Sequence, residues 1–437
     1  MTSRPFTPEE AERYLLSLEL FGMRFGLERM RRLMTVLDSP HRRFQSIHVV
    51  GTNGKSSTTR MAAALLRRHG MRTGTYVSPH LTSFAERVEI DEQRISPERF
   101  AAAVQRASQA AALVDRTLGP DDRVTQFEAL TAAAYWALAR AGVEAAVVEA
   151  GLGGRYDATS VIDSRVQVLT NVGLEHTRWL GPTERHIAEE KLAVVKPGGT
   201  LVTGPLGAEA AAVAARVAAE RGARLVRSGK ELALTGDQTL TVSTPGGRYT
   251  DLELRPLGRF QRANFAAAVA AVESFLGRAL EAEAVRRAAS ELNLPGRLEV
   301  VASEPLVVVD GAHNPSGARA LAESLPSVVG ERPVIAVMSV LEDKDAAGIL
   351  SELMPLCAGA VFTRSSRRGA LPPPVLESLW TQLGGSGAEI VADPARALEV
   401  ARSRAADGGA VLVTGSIYLL AELVGREGAL RGSRAVS

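Results

Sequence analysis

Short apolar runs alternate with amphipathic stretches along most of the chain. "SIHVV" (46–50) reads as a strand, and the amphipathic segment that follows its glycine turn reads as a helix running to His69 and stopped by Gly70. Upstream, "TPEEAERYLLSLEL" starts a helix with Thr7 as N-cap and Pro8 in the first helical position, and a second helix covers about 28–37. Downstream come a strand at 72–78, a short hairpin in "ERVEIDEQRIS", and Ala-rich helices at about 97–118 and 127–141. "VEAAVVEAGLGG" (143–154) is a strand running into a glycine turn, "RVQVLTNVG" is another strand, and 183–195 is a helix. This strand–helix alternation predicts a mostly parallel sheet covered on both faces. Residues 231–255 change character to a hairpin-like β insert, and the helix of 260–276 restores the α/β rhythm.

"LPGRLEVV" (294–301) marks the domain boundary, because Pro295-Gly296 interrupts two ordered patterns. Beyond it the alternation restarts: strands at 306–310, 333–338, 359–363, 388–391 and 410–414, with helices at 316–325, 344–354, 373–383, 394–406 and 416–424. The fold class expected is therefore α/β, with an N-terminal P-loop-type domain over 1–295 and a C-terminal Rossmann-like domain over 296–437. A chain of 437 residues suits two or three domains.

Composition narrows this picture without changing it. Hydrophobic content of 46% and charged content of 23% are globular values. A net charge of +2, with no Lys/Arg block, argues against a nucleic-acid partner. The single cysteine, Cys357, excludes a disulfide framework and a cysteine metal cluster. The polar start "MTSRPFTPEEAERY" has no signal-peptide core, and no apolar run reaches about 18 residues, so a soluble cytoplasmic protein is expected. Only five of the 51 basic residues are lysines: Lys55, Lys191, Lys196, Lys230 and Lys344. Where arginine is the default base, a retained lysine points to a need for an amine.

The chemistry starts at "IHVVGTNGKSSTTRM" (47–61). The usual phosphate-loop spelling, G-x-x-x-x-G-K-[ST], wants glycine where this chain has Val49. The context is nonetheless right. Thr52, Asn53 and Gly54 let backbone N–H groups approach phosphate, Lys55 and Ser56 open a helix whose N-terminus favours anions, and Lys55 reaches the β/γ-phosphates. Glu149 ends an apolar strand, a usual position for a Mg²⁺ carboxylate, although a surface glutamate is the plain alternative.

"GTNGKS" after an apolar strand resembles the loop of the Mur-ligase superfamily. Further stretches narrow the resemblance to folylpolyglutamate synthase/dihydrofolate synthase: "YVSPHLTSFAERVEI" (76–90), "FEALT" (127–131), "EAGLGGRYDAT" (149–159), "TNVGLEHTRWLG" (170–181), "IAEEKLAVVKPG" (187–198), "VVDGAHNPSG" (308–317), "LEDKDA" (341–346) and "VTGSIYLLAEL" (413–423). Their order matches that family from about residue 47 to 424.

The resemblance implies ATP and L-glutamate as substrates, with dihydropteroate or a reduced folate as the acid. It also implies Mg²⁺ at two sites and K⁺ as a further ion. Ser78, Glu149 and His176 become magnesium ligands. From softness alone His176 reads as a loop residue or a general base. Lys191, by itself a solvated helix lysine, becomes a carbamate beside a second Mg²⁺, a modification arginine cannot undergo. Thr125, Phe127 and Asp157 match the positions that hold the pterin end; Phe127 equally reads as core. Asn264 resembles an adenine-side residue and Arg297 a phosphate-contacting arginine. Asp310 and His313 face the ATP phosphates and the ligation centre, while Asn314 also reads as a helix cap. A monomer is expected. Asp343, Lys344 and Ser416 lie in family motifs without an assigned role.

Other classes fail on spelling. A dinucleotide fingerprint starting at Gly151 needs glycine at 156, which is Tyr156. "EDKDA" is no guanine reader, and G-x-S-x-G is absent. The expected activity is an ATP-dependent amide ligase working through an acyl phosphate, on pteroate, on folate or on both. The alternatives are another Mur-type amino-acid ligase and a nucleotide-binding regulator without turnover. A cell-wall Mur ligase is disfavoured because only about 45 residues precede the loop.

Overall fold

The computed structural model describes residues 4–18, 26–236, 239–405 and 408–425. The chain divides into two compact units, Met1–Glu253 with Ala263–Glu291, and Leu254–Arg262 with Leu292–Ser437.

The first unit is built on an eight-stranded sheet in the order β4-β3-β2-β5-β1-β6-β7-β8. Its strands are β1 (Gln45–Val50), β2 (Thr73–Tyr76), β3 (Val88–Ile90), β4 (Gln93–Arg94), β5 (Ala145–Glu149), β6 (Val166–Leu169), β7 (Thr200–Thr203) and β8 (Arg224–Arg227). Six run parallel, and β3 and β4 form the antiparallel edge expected of the hairpin. The helices are α1 (Pro8–Ser17), α2 (Glu28–Val36), α3 (Lys55–Arg68), α4 (Pro97–Asp115), α5 (Gln126–Arg140), α6 (Thr177–Leu180), α7 (Glu184–Leu192) and α8 (Ala208–Arg221). Thr7 caps α1 as expected, in a full capping box with Glu10. A cluster that includes Tyr76, Tyr135, Val148 and Leu33 fills one face of the sheet, and a second that includes Val50, Leu169, Leu192 and Leu201 fills another layer. The β insert is a three-stranded antiparallel sheet, β9 (Ala233–Thr235), β10 (Leu240–Ser243) and β11 (Arg248–Leu252). Helices α9 (Arg259–Leu276) and α10 (Ala282–Glu291) follow, α9 beginning in the second unit.

The second unit carries a six-stranded sheet in the order β12-β13-β17-β14-β15-β16. Its strands are β12 (Glu299–Ser303), β13 (Leu306–Val309), β14 (Val334–Met338), β15 (Cys357–Phe362), β16 (Ala388–Ile390) and β17 (Ala410–Thr414). Helices α11 (Pro315–Ser324), α12 (Pro326–Val329), α13 (Ala346–Leu353), α14 (Pro373–Gln382), α15 (Pro394–Ala405) and α16 (Ile417–Gly425) connect or follow them. The five strands after β12 are parallel, close to the ranges their apolar runs predict. Strand β12 is not foreseen. The Pro295-Gly296 break hides it, yet it pairs antiparallel with β13 across the turn at Glu304-Pro305. Among the described residues no helix is long and apolar enough to cross a membrane.

Candidate active site

In the first sheet β1 lies between β5 and β6. The connection through α3 leads to β2 on one side, whereas β6 and β7 lie on the other. The loop after β1 therefore opens at the carboxyl edge where strand order reverses, the usual ligand position in open α/β sheets.

Two glycines let this loop form. Gly54, the N-cap of α3, has φ of +79°, and a Cβ there would lie 2.5 Å from the Asn264 Oδ1. At Gly51 a Cβ would sit 1.9 Å from the Thr170 Oγ1. No side chain caps α3, so its first N–H groups stay available to an anion. The loop is tied down from outside by the segment after β6. Asn171 Oδ1 accepts from the Asn53 N–H at 2.9 Å, and the Asn171 amide and Thr170 hydroxyl both donate to the Asn53 carbonyl, at 3.2 and 2.6 Å. The Thr52 N–H donates to the Asn171 carbonyl at 3.1 Å, and the Thr52 hydroxyl accepts from the Gly173 N–H at 3.1 Å. Sequence reading gives "TNVG" no role; the signal available was two polar residues ending a strand that adjoins the loop.

Lys55 folds back so that its ammonium donates to the Thr52 carbonyl at 2.9 Å. The Ser56 hydroxyl donates to the Glu149 Oε1 at 3.0 Å, and the Ser78 N–H donates to the Glu149 Oε2 at 3.0 Å. Glu149 is buried, so it is no surface glutamate. This puts one carboxylate, a serine hydroxyl and the Ser78 peptide at the helix start. Hard oxygen donors of this kind fit Mg²⁺, which takes one or two carboxylates and completes its shell with water and phosphate oxygens. No group of three His, Cys, Asp or Glu suited to a metal occurs among the described residues, so a dedicated all-protein cage is not what these residues build. His176 sits at the start of α6 in a left-handed conformation with φ of 52°, its Nε2 3.8 Å from Glu175 Oε1.

Lys191, on α7, is buried and not solvated. Its ammonium donates to the Gly51 carbonyl at 2.8 Å. Burial, reinforced by the Lys55 charge, pulls its pKa down to about 7. A large share of this amine is therefore uncharged near neutrality, the form that can add CO₂.

Phe127 and Asp157 converge on Gly151. A Cβ at that glycine would lie 2.6 Å from the Phe127 Cζ and 3.2 Å from the Asp157 Oδ2. Phe127 also stacks on Tyr76 with ring centroids 6.3 Å apart. Asp157 is buried: its Oδ2 accepts from the Leu152 N–H at 2.8 Å, and its Oδ1 accepts from the N–H and hydroxyl of Thr159. Burial raises its pKa while these donors oppose the rise. Thr125 is placed differently. Its hydroxyl closes a capping box with Glu128 at the start of α5, and Glu128 takes a buried ion pair from Arg29 at 3.0 Å. That hydroxyl first serves the helix. Asn264, expected at the adenine side, packs its amide oxygen against Gly54 of the loop.

The second unit gathers Arg297, Asp310 and His313. Asp310 follows β13; its Oδ2 accepts from the Leu298 N–H and its Oδ1 from the Ala312 N–H, both at 2.8 Å. Burial raises its pKa, and the Arg297 charge is the largest opposing influence. A Cβ on Gly311 would meet the Arg297 Nη1 at 2.8 Å, so the guanidinium lies over that glycine. The His313 Nδ1 is 2.8 Å from the Gly311 carbonyl. A carbonyl only accepts, so Nδ1 carries a proton in this contact. Asn314 caps α11 as expected. Lys344 lies 3.7 Å from Asp343.

Known proteins share the domains and the fold of this chain. Residues 49–272 match the Mur ligase middle domain, and residues 296–417 match the Mur ligase glutamate ligase domain. The chain is 37% identical over 395 residues to the dihydrofolate synthase/folylpolyglutamate synthase of Mycobacterium tuberculosis, covering 84% of this chain and 81% of that protein. The crystal structure of the Mycobacterium tuberculosis folylpolyglutamate synthase complexed with ADP and AMPPCP superposes with a TM-score of 0.90 at 35% identity, covering 95% of this chain and 98% of that one. The bifunctional folylpolyglutamate synthase/dihydrofolate synthase of Yersinia pestis complexed with AMPPNP and Mn ion gives a TM-score of 0.85 at 30% identity, covering 97% and 98%. Two Mur ligase domains in order and 37% identity over 84% of the chain establish that the chain belongs to the dihydrofolate synthase/folylpolyglutamate synthase family of Mur ligases.

Proposed function

We propose that this protein joins L-glutamate, at the expense of ATP, to the carboxylate of dihydropteroate and to the γ-carboxylate of a reduced folate. The observation that carries the reading is the cluster at the end of β1: Lys55, the uncapped α3 amides and Ser56 stand beside the buried Glu149. Lys55 and the amides bind the ATP phosphates and offset their negative charge, which lowers the repulsion felt by an incoming carboxylate. Ser56, Ser78 and Glu149 would hold Mg²⁺, joined by His176 on the family resemblance, and the ion would supply Lewis-acid polarisation of a phosphoryl oxygen. The acid's oxygen attacks the γ-phosphorus and ADP leaves. The amine of glutamate then displaces phosphate from the acyl carbon and loses its proton, giving amide, ADP and phosphate. Phosphorylation is needed because an unactivated carboxylate has only oxide as its leaving group.

Phe127 stacks on the pterin and Asp157 pairs with its amino groups; their convergence on Gly151 supports this. Thr125 contributes through the turn it caps. Lys191 adds CO₂ to become a carbamate, and its depressed pKa supports that step. Thr52, Asn53, Gly54 and Asn264 shape the nucleotide loop. Arg297, Asp310 and His313 are assigned to the nucleotide and the ligation step by the family resemblance. Domains over 1–295 and 296–437, two magnesium ions, K⁺, a monomeric state and a cytoplasmic location complete the proposal.

The test supplies dihydropteroate labelled with ¹⁸O in its carboxylate. Label appearing in orthophosphate, with ADP release that requires both acid and glutamate, is the expected result. A regulator releases ADP without dependence on the pair, and a ligase for another acid shows no turnover with either pteroate or folate.

A further inference from the structure

A strand interior of a parallel sheet is a poor place for a histidine, yet His48 stands in the middle of β1, fully buried. Its Nε2 lies 2.9 Å from the Thr159 Oγ1, while its Nδ1 has no partner. Thr159 is equally buried, and its hydroxyl in turn meets the Asp157 Oδ1. The proton positions follow from donor counting. Asp157 receives the Thr159 hydroxyl, the Thr159 N–H and the Leu152 N–H, and Gly151 contributes a further backbone donor. A carboxyl group surrounded by donors is an acceptor, so the threonine hydroxyl spends its one proton on Asp157. Thr159 Oγ1 must then accept from His48, which fixes the imidazole as the Nε2–H tautomer. The unpartnered Nδ1 is left as a bare lone pair, a smaller cost than a buried N–H without an acceptor.

We propose that His48 and Thr159 are positioning residues for the acid substrate: a buried relay, His48 Nε2–H to Thr159 Oγ1–H to Asp157 Oδ1, holds the Asp157 carboxylate oriented toward the Gly151 floor shared with Phe127. This rests on the reading that Asp157 meets the pterin end. Each link polarises the next, so the donor at His48 strengthens the bond that Thr159 makes. The Thr159 backbone is gripped as well, because the Tyr135 hydroxyl donates to its carbonyl at 2.9 Å. An apolar residue at 48, the ordinary choice in this strand, would leave the threonine hydroxyl free to rotate away from Asp157. The strand that ends in the nucleotide loop thus also braces the carboxylate for the acid.

The test measures KM for dihydropteroate, ATP and glutamate separately, with melting temperatures, in Thr159→Val, Thr159→Ser, His48→Leu, His48→Gln and Asp157→Asn. Thr159→Val raises KM for dihydropteroate about tenfold, the loss expected of a hydrogen bond to a charged acceptor. His48→Leu raises it about threefold to tenfold through the same chain. Serine at 159 and glutamine at 48 keep a hydroxyl and an N–H donor and recover most of the loss. KM for ATP stays within about twofold throughout, a selectivity that general loosening of β1 would not give. Unchanged dihydropteroate KM in Thr159→Val and His48→Leu, or equal rises for ATP and dihydropteroate, overturns the relay. Asp157→Asn separates the two readings. If it leaves KM for dihydropteroate unchanged, the pterin assignment falls and the relay with it. If it raises KM while Thr159→Val and His48→Leu do not, only the relay falls.

Discussion

Glu149 and Asp310 occupy the same kind of position, just at or after the carboxyl end of a parallel strand, and each has both oxygens engaged. What engages them differs. Glu149 is held by a hydroxyl from α3 and by the N–H of Ser78, both distant in sequence. Asp310 is held by the amides of Leu298 and Ala312, from the paired segment of its own hairpin and its own turn. A hydroxyl can reverse and present its oxygen to a cation, whereas a backbone amide can only donate. The charge around them differs too. Asp310 has Arg297 against it, while Lys191 near the first site feels another lysine, Lys55. The first region is arranged to exchange partners and to receive anions. The second is arranged to keep the partners it has.

The sharpest way to break this contrast is to neutralise both carboxylates isosterically. Glu149→Gln is expected to lower ADP release by about 10²–10³-fold, the scale of losing one preorganised electrostatic group, with little change in melting temperature. Asp310→Asn turns a donor toward a backbone N–H and is expected to cost about 1–3 kcal/mol of stability in urea unfolding. Should Glu149→Gln destabilise as much as Asp310→Asn, or Asp310→Asn leave stability untouched, the distinction between exchangeable and permanent partners is wrong.

Lys191 sharpens the electrostatic half. Its pKa is about 7 when folded against 10.5 when free. Below the folded value both states are protonated and the native state bears the full cost of the buried charge. Between about 7 and 10.5 the unfolded state binds the extra proton, so this group makes stability rise with pH across that window, by an amount on the order of a few kcal/mol. In CO₂-free buffer, denaturant unfolding should show that slope, and Lys191→Met should remove it. An unaltered slope in the variant would mean that the amine is not the group responsible.

The same contrast explains what could be read from the sequence. The second unit is legible almost element by element because its parallel strands are buried apolar runs separated by helices, and Asn314 announces α11 one residue ahead of it. Strand β12 escaped because Pro295-Gly296 signals a break, while its pairing is decided by β13. In the first unit the loop stands out by its spelling, while Glu149 and Lys191 stand out through the family resemblance. The Thr125 cap is legible in the local spelling Thr-x-x-Glu128, whereas the burial of Lys191 and the clamping of the loop by Thr170 and Asn171 depend on which strands neighbour β1, which periodicity does not encode. His48 was read as one letter of an apolar strand for the same reason.

The mildest test concerns that clamp. Asn171→Ala removes the acceptor of the Asn53 N–H and one of the donors to the Asn53 carbonyl. Thr170 still donates to the same carbonyl, and Thr52 still exchanges hydrogen bonds with Gly173. The loop should therefore keep its path and lose only part of its order before nucleotide arrives. Net loss of about 1 kcal/mol, shared equally by the bound ground state and the transition state, corresponds to a rise of about fivefold in KM for ATP with kcat nearly unchanged. Because Asn53 N–H is freed, a bound phosphate can take the place of the missing side chain, which caps the effect. Were kcat to fall on the scale expected for Glu149→Gln, Asn171 would act on the reaction itself, and the clamp would have to be counted with the charged cluster and not with the scaffold around it.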